Sequence, residues 1–138
     1  MEYEGEYLYD KKWNGKGYDG NGDIIYQLIK GNGKVKEYDA YDRLIFEGEY
    51  LNGERNGKGK EYDYYNSKNY LGFEGEYLNG KRNGKGIEYQ SDGGLIFEGE
   101  YLNNTKWNGK GKEYDIYGNL IFEGEYVYGK KWNGKVDL

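Results

Sequence analysis

The chain has 138 residues, a formal net charge of −5, and no histidine, cysteine or proline. Lacking Cys, it makes no disulfide or thiolate metal site; lacking His, it has neither the usual general base nor the commonest transition-metal ligand. A mean hydropathy of −1.17 leans toward disorder, but 19% aromatic residues can remove enough area from water to order a thin protein without a deep core.

The negative charge disfavours nucleic acid and anionic membrane as electrostatic partners. The opening Met1-Glu2-Tyr3-Glu4 is no secretory signal, and no apolar run approaches the roughly 18 residues of a membrane-spanning helix. An intracellular, cytoplasmic location is therefore expected (host cytoplasm for a viral protein).

Taken in order, the chain writes one phrase again and again. Its fullest form is Leu44 to Asp63: aromatic-Glu-Gly-Glu-Tyr, then Asn, Gly and cationic residues, then Asn-Gly-Lys-Gly and a Tyr. The first unit opens at Tyr3 and reaches Asn14-Gly15-Lys16. The second, about 24–40, is shortened around Gly31-Asn32-Gly33, and a tight Gly-Asn-Gly turn between two strands is expected there. Units three to six open at Phe46, Phe73, Phe97 and Phe122, spaced 27, 24 and 25 residues apart. Asn-Gly-Lys recurs at Asn14, Asn32, Asn56, Asn83, Asn108 and Asn133, so the array has six units.

No segment has helical spacing. Leu44, Phe46, Gly48 and Tyr50 alternate with Ile45, Glu47, Glu49 and Leu51, which predicts a strand, and Lys58 to Tyr62 predicts its antiparallel return. Each unit is thus a β-hairpin. Asn-Gly-Lys falls in the hairpin tip, and segments such as Asp63 to Asn69 and Gln90 to Gly94 are turns between units. Pairing Tyr50 with Gly59 lets a ring lie over bare backbone and leaves Tyr62 across from Glu47; a bulge near Gly59 would instead place Tyr62 opposite Phe46. The expected fold is all-β: a single-layer, twisted, antiparallel sheet of consecutive hairpins, elongated, with residues 1–138 as one domain.

The segment Phe73-Glu74-Gly75-Glu76-Tyr77-Leu78-Asn79-Gly80-Lys81-Arg82-Asn83-Gly84-Lys85-Gly86 resembles the MORN repeat. Tyr77 stands where Trp is usual and Asn83 where His is common. Lys60-Glu61-Tyr62-Asp63 departs from the usual Val-Tyr-x-Tyr, which is closer to the variant form of the repeat. The resemblance implies an elongated hairpin sheet acting as a scaffold or protein-binding module. Homodimers, phospholipid binding and an antitoxin-like role are also implied by members of the family.

An enzyme is not expected. Ser67, Ser91 and Thr105 are the only hydroxyls besides Tyr, and no His or Cys accompanies them. The pairs Glu47/Glu49, Glu74/Glu76, Glu98/Glu100 and Glu123/Glu125 are equivalent, whereas a catalytic pair needs one pocket with two different environments. Gly57-Lys58-Gly59 opens a strand rather than a helix, so it is no phosphate loop. Asp19-Gly20-Asn21-Gly22-Asp23 lacks a downstream bidentate Glu and reads as a turn; no cofactor and no metal are expected.

The expected function is non-enzymatic docking of a protein partner, or of a second copy, through the ring-bearing face. The candidate residues are Phe46, Tyr50, Phe73, Tyr77, Phe97, Tyr101, Phe122 and Tyr126, with Trp13, Trp107 and Trp132 near the tips. Each Trp either covers its own hairpin, the preferred reading, or joins an aromatic row that grips a partner. The alternative to protein docking is phosphoinositide binding through basic tips at Lys12, Arg55, Lys81, Arg82 and Lys131, or antitoxin-like binding.

Overall fold

The computed structural model describes residues 2–132. They form twelve strands: β1 (Glu2–Leu8), β2 (Lys11–Tyr18), β3 (Ile24–Leu28), β4 (Gly33–Tyr38), β5 (Leu44–Leu51), β6 (Glu54–Tyr65), β7 (Lys68–Leu78), β8 (Lys81–Tyr89), β9 (Leu95–Leu102), β10 (Thr105–Tyr114), β11 (Leu120–Val127) and β12 (Lys130–Trp132). Every pairing is antiparallel and between chain neighbours. The fold is all-β, as its alternating sequence requires. The expected continuation of unit six from Asn133 onward lies outside the described residues.

The expected single sheet is divided. Strands β1–β3 form one sheet and β4–β12 another, joined through a single bridge between Ile29 and Asn32. A small core of Tyr26, Leu28 and Val35 fills this junction, with Tyr3, Ile25 and Tyr50 against it. The turn there is Lys30-Gly31 (φ 52° and 75°), one residue earlier than the Gly-Asn-Gly expected from sequence, because Asn32 is already in the bridge.

Hairpin tips are shorter than the sequence suggested. Asn52-Gly53 has φ of 53° and 77°, and Asn79-Gly80 has 51° and 83°. Positive φ at both central residues defines the two-residue turn whose twist matches right-handed strands. Asn-Gly-Lys consequently sits inside the returning strand. The next expected turn also moves: β6 and β7 pair out to Tyr65 and Lys68, so Asp63–Tyr65 are strand and the reversal is Asn66-Ser67. Gln90 to Gly94 is a turn as expected.

The register differs by two residues from the one proposed. Gly48 faces Gly59, Glu47 faces Lys60 and Phe46 faces Glu61, while Tyr50 faces Arg55. A bulge absorbs the difference: Gly57 has φ +90°, and Glu49 Oε2 accepts the Lys58 backbone N–H at 2.9 Å. Unit four repeats it with Gly84 at +102° and Glu76 accepting from Lys85 N–H at 2.8 Å. Only glycine adopts that backbone cheaply.

The asparagine of Asn-Gly-Lys stitches units together. Asn14, Asn32, Asn56, Asn83 and Asn108 each accept, through Oδ1, the backbone N–H of the first residue in the following tip. The second tip residue donates its N–H to the carbonyl of the residue just before that Asn, as Gly53 does to Gly31 at 2.9 Å. Replacing Asn83 with Ala removes one such acceptor and is expected to cost about 1 kcal/mol. Urea melts and hydrogen exchange at the Asn103 amide check it. An unchanged midpoint with unchanged exchange would mean that the tip is held by its own turn alone.

Candidate functional site

The two faces of the sheet are chemically distinct, and the glycine row between the strands explains why. Gly48, Gly59, Gly75, Gly86, Gly99 and Gly109 stand opposite one another from β5 to β10. On one face, rings from the neighbouring positions lie across this bare backbone. A Cβ on Gly59 would meet the Phe46 ring at 2.6 Å, and one on Gly86 would meet Phe73 at 2.6 Å.

Those rings are buried. Phe46, Phe73 and Phe97 are fully buried, Tyr77, Tyr101 and Tyr126 nearly so, and Tyr50 and Phe122 partly. Phe46 meets Tyr77 edge-on (5.4 Å, 87°), and Phe73 meets Tyr101 the same way (5.2 Å, 83°). A layer of cations then covers the rings: the Arg55 guanidinium lies 4.1 Å from the Phe46 centroid and Arg82 lies 4.0 Å from that of Phe73. Lys106 and Lys131 take the same place over Phe97 and Phe122.

Each cation is itself held by a glutamate from the preceding unit. Arg55 binds Glu37 at 2.9 Å, Arg82 binds Glu61 at 2.7 Å and Glu88 at 3.0 Å, and Lys131 binds Glu113. The same glutamates accept the buried phenols: Tyr77 donates to Glu61, Tyr101 to Glu88 and Tyr126 to Glu113. Burial alone would raise the Glu61 carboxyl, but hydrogen bonds from Arg82 and Tyr77 and the nearby guanidinium charges hold it below the usual carboxylate range. Burial first, and then the neighbouring carboxylate, push the phenols of Tyr77 and Tyr101 well up.

The ring-bearing face therefore presents an Arg–Glu layer to its surroundings, and its aromatic side chains are committed to the core. This corrects the expectation that these rings form an open docking surface: once the hairpin register sets each ring over glycine, the cation layer closes over it. Of the basic tip residues, Lys12 lies over Tyr3 and Tyr26, while Arg55, Arg82 and Lys131 cover rings or hold glutamates. Lys81 remains exposed.

The three tryptophans do not share the Arg slot. Lys106, opposite Tyr101, holds that slot, and Trp107 is the inserted residue that the register steps over. Its ring packs on Tyr128 (5.9 Å, 62°) and against Gly129, so it covers the next hairpin's tip rather than its own. Lys12 opposite Tyr7 makes Trp13 the matching insertion in unit one, and Trp132 is 44% exposed on β12. The insertion also offsets β10 by two residues between its neighbours, since Gly109 faces Gly99 but Gly111 faces Gly124. Phe97 and Tyr126 accordingly stack nearly parallel (5.4 Å, 15°) where the earlier pairs are edge-on.

The opposite face carries a groove of about 760 Å³, running across the strands from Ile25 on β3 to Ile87 on β8. Its floor includes the uncovered side of Gly48, Gly59, Gly75 and Gly86. Its walls are lysines and glutamates alternating from strand to strand: Lys36 faces Glu47, Glu47 faces Lys60 and Lys60 faces Glu74. Where that series would place the next lysine, Ile87 faces Glu74 instead. Tyr62 donates to Glu47 at 2.5 Å and Tyr89 to Glu74 at 2.7 Å, each phenol being pushed up to about 12. For Tyr62 burial leads that shift, whereas for Tyr89 the Glu74 bond does.

The MORN-repeat family profile matches residues 46–64 and 73–95, two of the hairpin units just described. The chain carries MORN repeats. A comparison with curated proteins finds no match. MORN repeats are associated in general with protein–protein or membrane interactions and are generally non-enzymatic. Sequence reasoning located the glycines and rings but missed the groove's glycine floor and the inter-unit role of Glu37, Glu61, Glu88 and Glu113. The signal for the glutamates was present: each precedes the Tyr of the second half, as Lys-Glu-Tyr at Glu37, Glu61 and Glu113 and as Ile-Glu-Tyr at Glu88.

Proposed function

We propose that this MORN array is a non-enzymatic protein-binding module whose partner lies in the glycine-floored groove, on the face away from the rings. The observation that carries this reading is the contrast between the faces. One has its aromatic surface closed by paired cations, and the other keeps a recessed channel across β4–β8 with an apolar floor. At about 4.8 Å per strand, that channel is about 19 Å long, enough for six extended residues or a three-turn helix. Bare glycine backbone lets a second chain approach closely, and Ile25 and Ile87 supply apolar contact.

The test is a selection from a random-peptide display library on the purified chain. Enriched peptides should bind Ile87→Asp at least about tenfold more weakly, as expected when a charge enters a desolvated contact. They should bind Lys81→Glu, on an exposed tip, unchanged. Peptides that bind Ile87→Asp as tightly as the parent chain would reject the groove as the site.

A further inference from the structure

We infer that the groove selects an acidic polypeptide segment, with carboxylates seated on Lys34, Lys36, Lys58, Lys60 and Lys85. This rests on the reading of the groove as a peptide site and adds the chemistry of its occupant. All five lysines line the groove and are exposed. Among the described residues, none of their amines has a carboxylate within 4 Å. The cations of the other face differ in this respect, since Arg55, Arg82, Lys106 and Lys131 each hold a glutamate.

The groove's own glutamates are engaged elsewhere. Glu47 and Glu74 accept phenols from Tyr62 and Tyr89, while Glu49 and Glu76 accept the bulge amides of Lys58 and Lys85. Each carboxylate is thus tied to the wall, and the amines are left to meet a ligand. Lysines in a row stand two strands apart, about 9.6 Å, and those on one strand stand two residues apart, about 6.7 Å. A segment in the polyproline II conformation, with three residues per turn and about 3.1 Å rise per residue, brings an acid at every third residue to one face about 9.3 Å apart, which matches the longer spacing. The apolar floor calls for uncharged residues between them.

The chain's overall charge of −5 does not decide the matter. At physiological ionic strength charges are screened beyond about 8 Å, so a seated acid responds to the groove's five lysines and four glutamates and not to the charges elsewhere on the chain. A recessed channel also admits a single chain more readily than the plane of a bilayer, which favours a polypeptide over a lipid headgroup.

The experiment uses fluorescence anisotropy and amide NMR on the full chain with three labelled peptides, (Glu-Leu-Ser)4, (Gln-Leu-Ser)4 and (Lys-Leu-Ser)4, plus phosphatidylserine vesicles. The Glu peptide should bind at least about tenfold more tightly than the Gln peptide and weaken about tenfold from about 50 to about 200 mM salt. Lys58→Gln/Lys60→Gln should weaken it about tenfold, with Lys34→Gln/Lys36→Gln as a second variant should the first fail to fold. Lys81→Gln/Lys130→Gln, on the tips, should leave it unchanged. Equal binding of Glu and Gln peptides, equal loss in the tip variant, or binding to vesicles alone would overturn the acidic class. If Gln or Lys peptides shift the Gly59 and Gly75 amides, the groove still takes peptides and only the charge preference falls. If no peptide shifts them, the groove reading falls too.

Discussion

Gly75→Ala is expected to destabilise the chain by about 3 kcal/mol, the upper part of the range for overpacking a tight site. That is a large share of the 5–15 kcal/mol that holds a typical domain together. The reason is local and steric. A Cβ at Gly75 would sit 2.5 Å from the Lys85 carbonyl oxygen, 2.7 Å from the Gly86 Cα and 2.8 Å from the Phe73 ring. Two of those neighbours are backbone of the paired strand, so relief requires the strands to part rather than a side chain to turn. Gly20→Ala is the control, because nothing lies within 4 Å of a Cβ there and its backbone is not in the left-handed region.

The same geometry predicts a coupling. At Gly86 the first obstacle is a ring, Phe73 at 2.6 Å, with Tyr101 at 2.9 Å. Phe73→Leu should therefore recover part of the loss from Gly86→Ala, making the double variant less destabilised than the sum of the singles by about 1 kcal/mol or more. Additive effects in urea melts would mean that ring and glycine do not share the space. Gly75→Ala, blocked by backbone, should gain much less from the same partner change.

Period and alternation were enough to read the architecture from sequence, because hairpin arrays advertise themselves through Gly-Glu-Tyr and Asn-Gly spacings. Register was not readable, and the reason lies at Gly57. A residue of positive φ inside β6 lengthens one strand relative to its partner, and every Asn-Gly in the unit resembles a turn until one of them is seen inside a strand. That shift of two residues changed the site as well as the pairing. With Gly48 against Gly59, the glycines line up into a floor, and the rings sit over it instead of offering themselves to a partner. The break between the two sheets was hidden too, since Lys30-Gly31 in the shortened unit looks like any other tip, yet β3 and β4 pair only through the Ile29–Asn32 bridge beside it.

Raising the pH through 10 to 12 should unfold the chain steeply. Tyr26, Tyr77 and Tyr101 are about 95% buried, and burial is the largest cause of their raised phenols. Burial and the nearby Glu37 push Tyr26 up to about 12, and burial and Glu61 or Glu88 raise the other two. A group raised on folding contributes stability that is whole below its unfolded value, about 10, and is lost as pH climbs toward the folded one. At pH 11 the unfolded phenols have released their protons and the folded ones have not, so each costs about 1.2 kcal/mol per pH unit and the three together about 3–4. Tyr77→Phe/Tyr101→Phe should lower the measured slope at pH 11 by about 2.5 kcal/mol per pH unit, whatever it costs at neutral pH through the lost bonds to Glu61 and Glu88. Urea midpoints at pH 8, 10 and 11 give the slope directly. The same slope in the double-Phe variant would show that the phenols of Tyr77 and Tyr101 do not drive the alkaline loss.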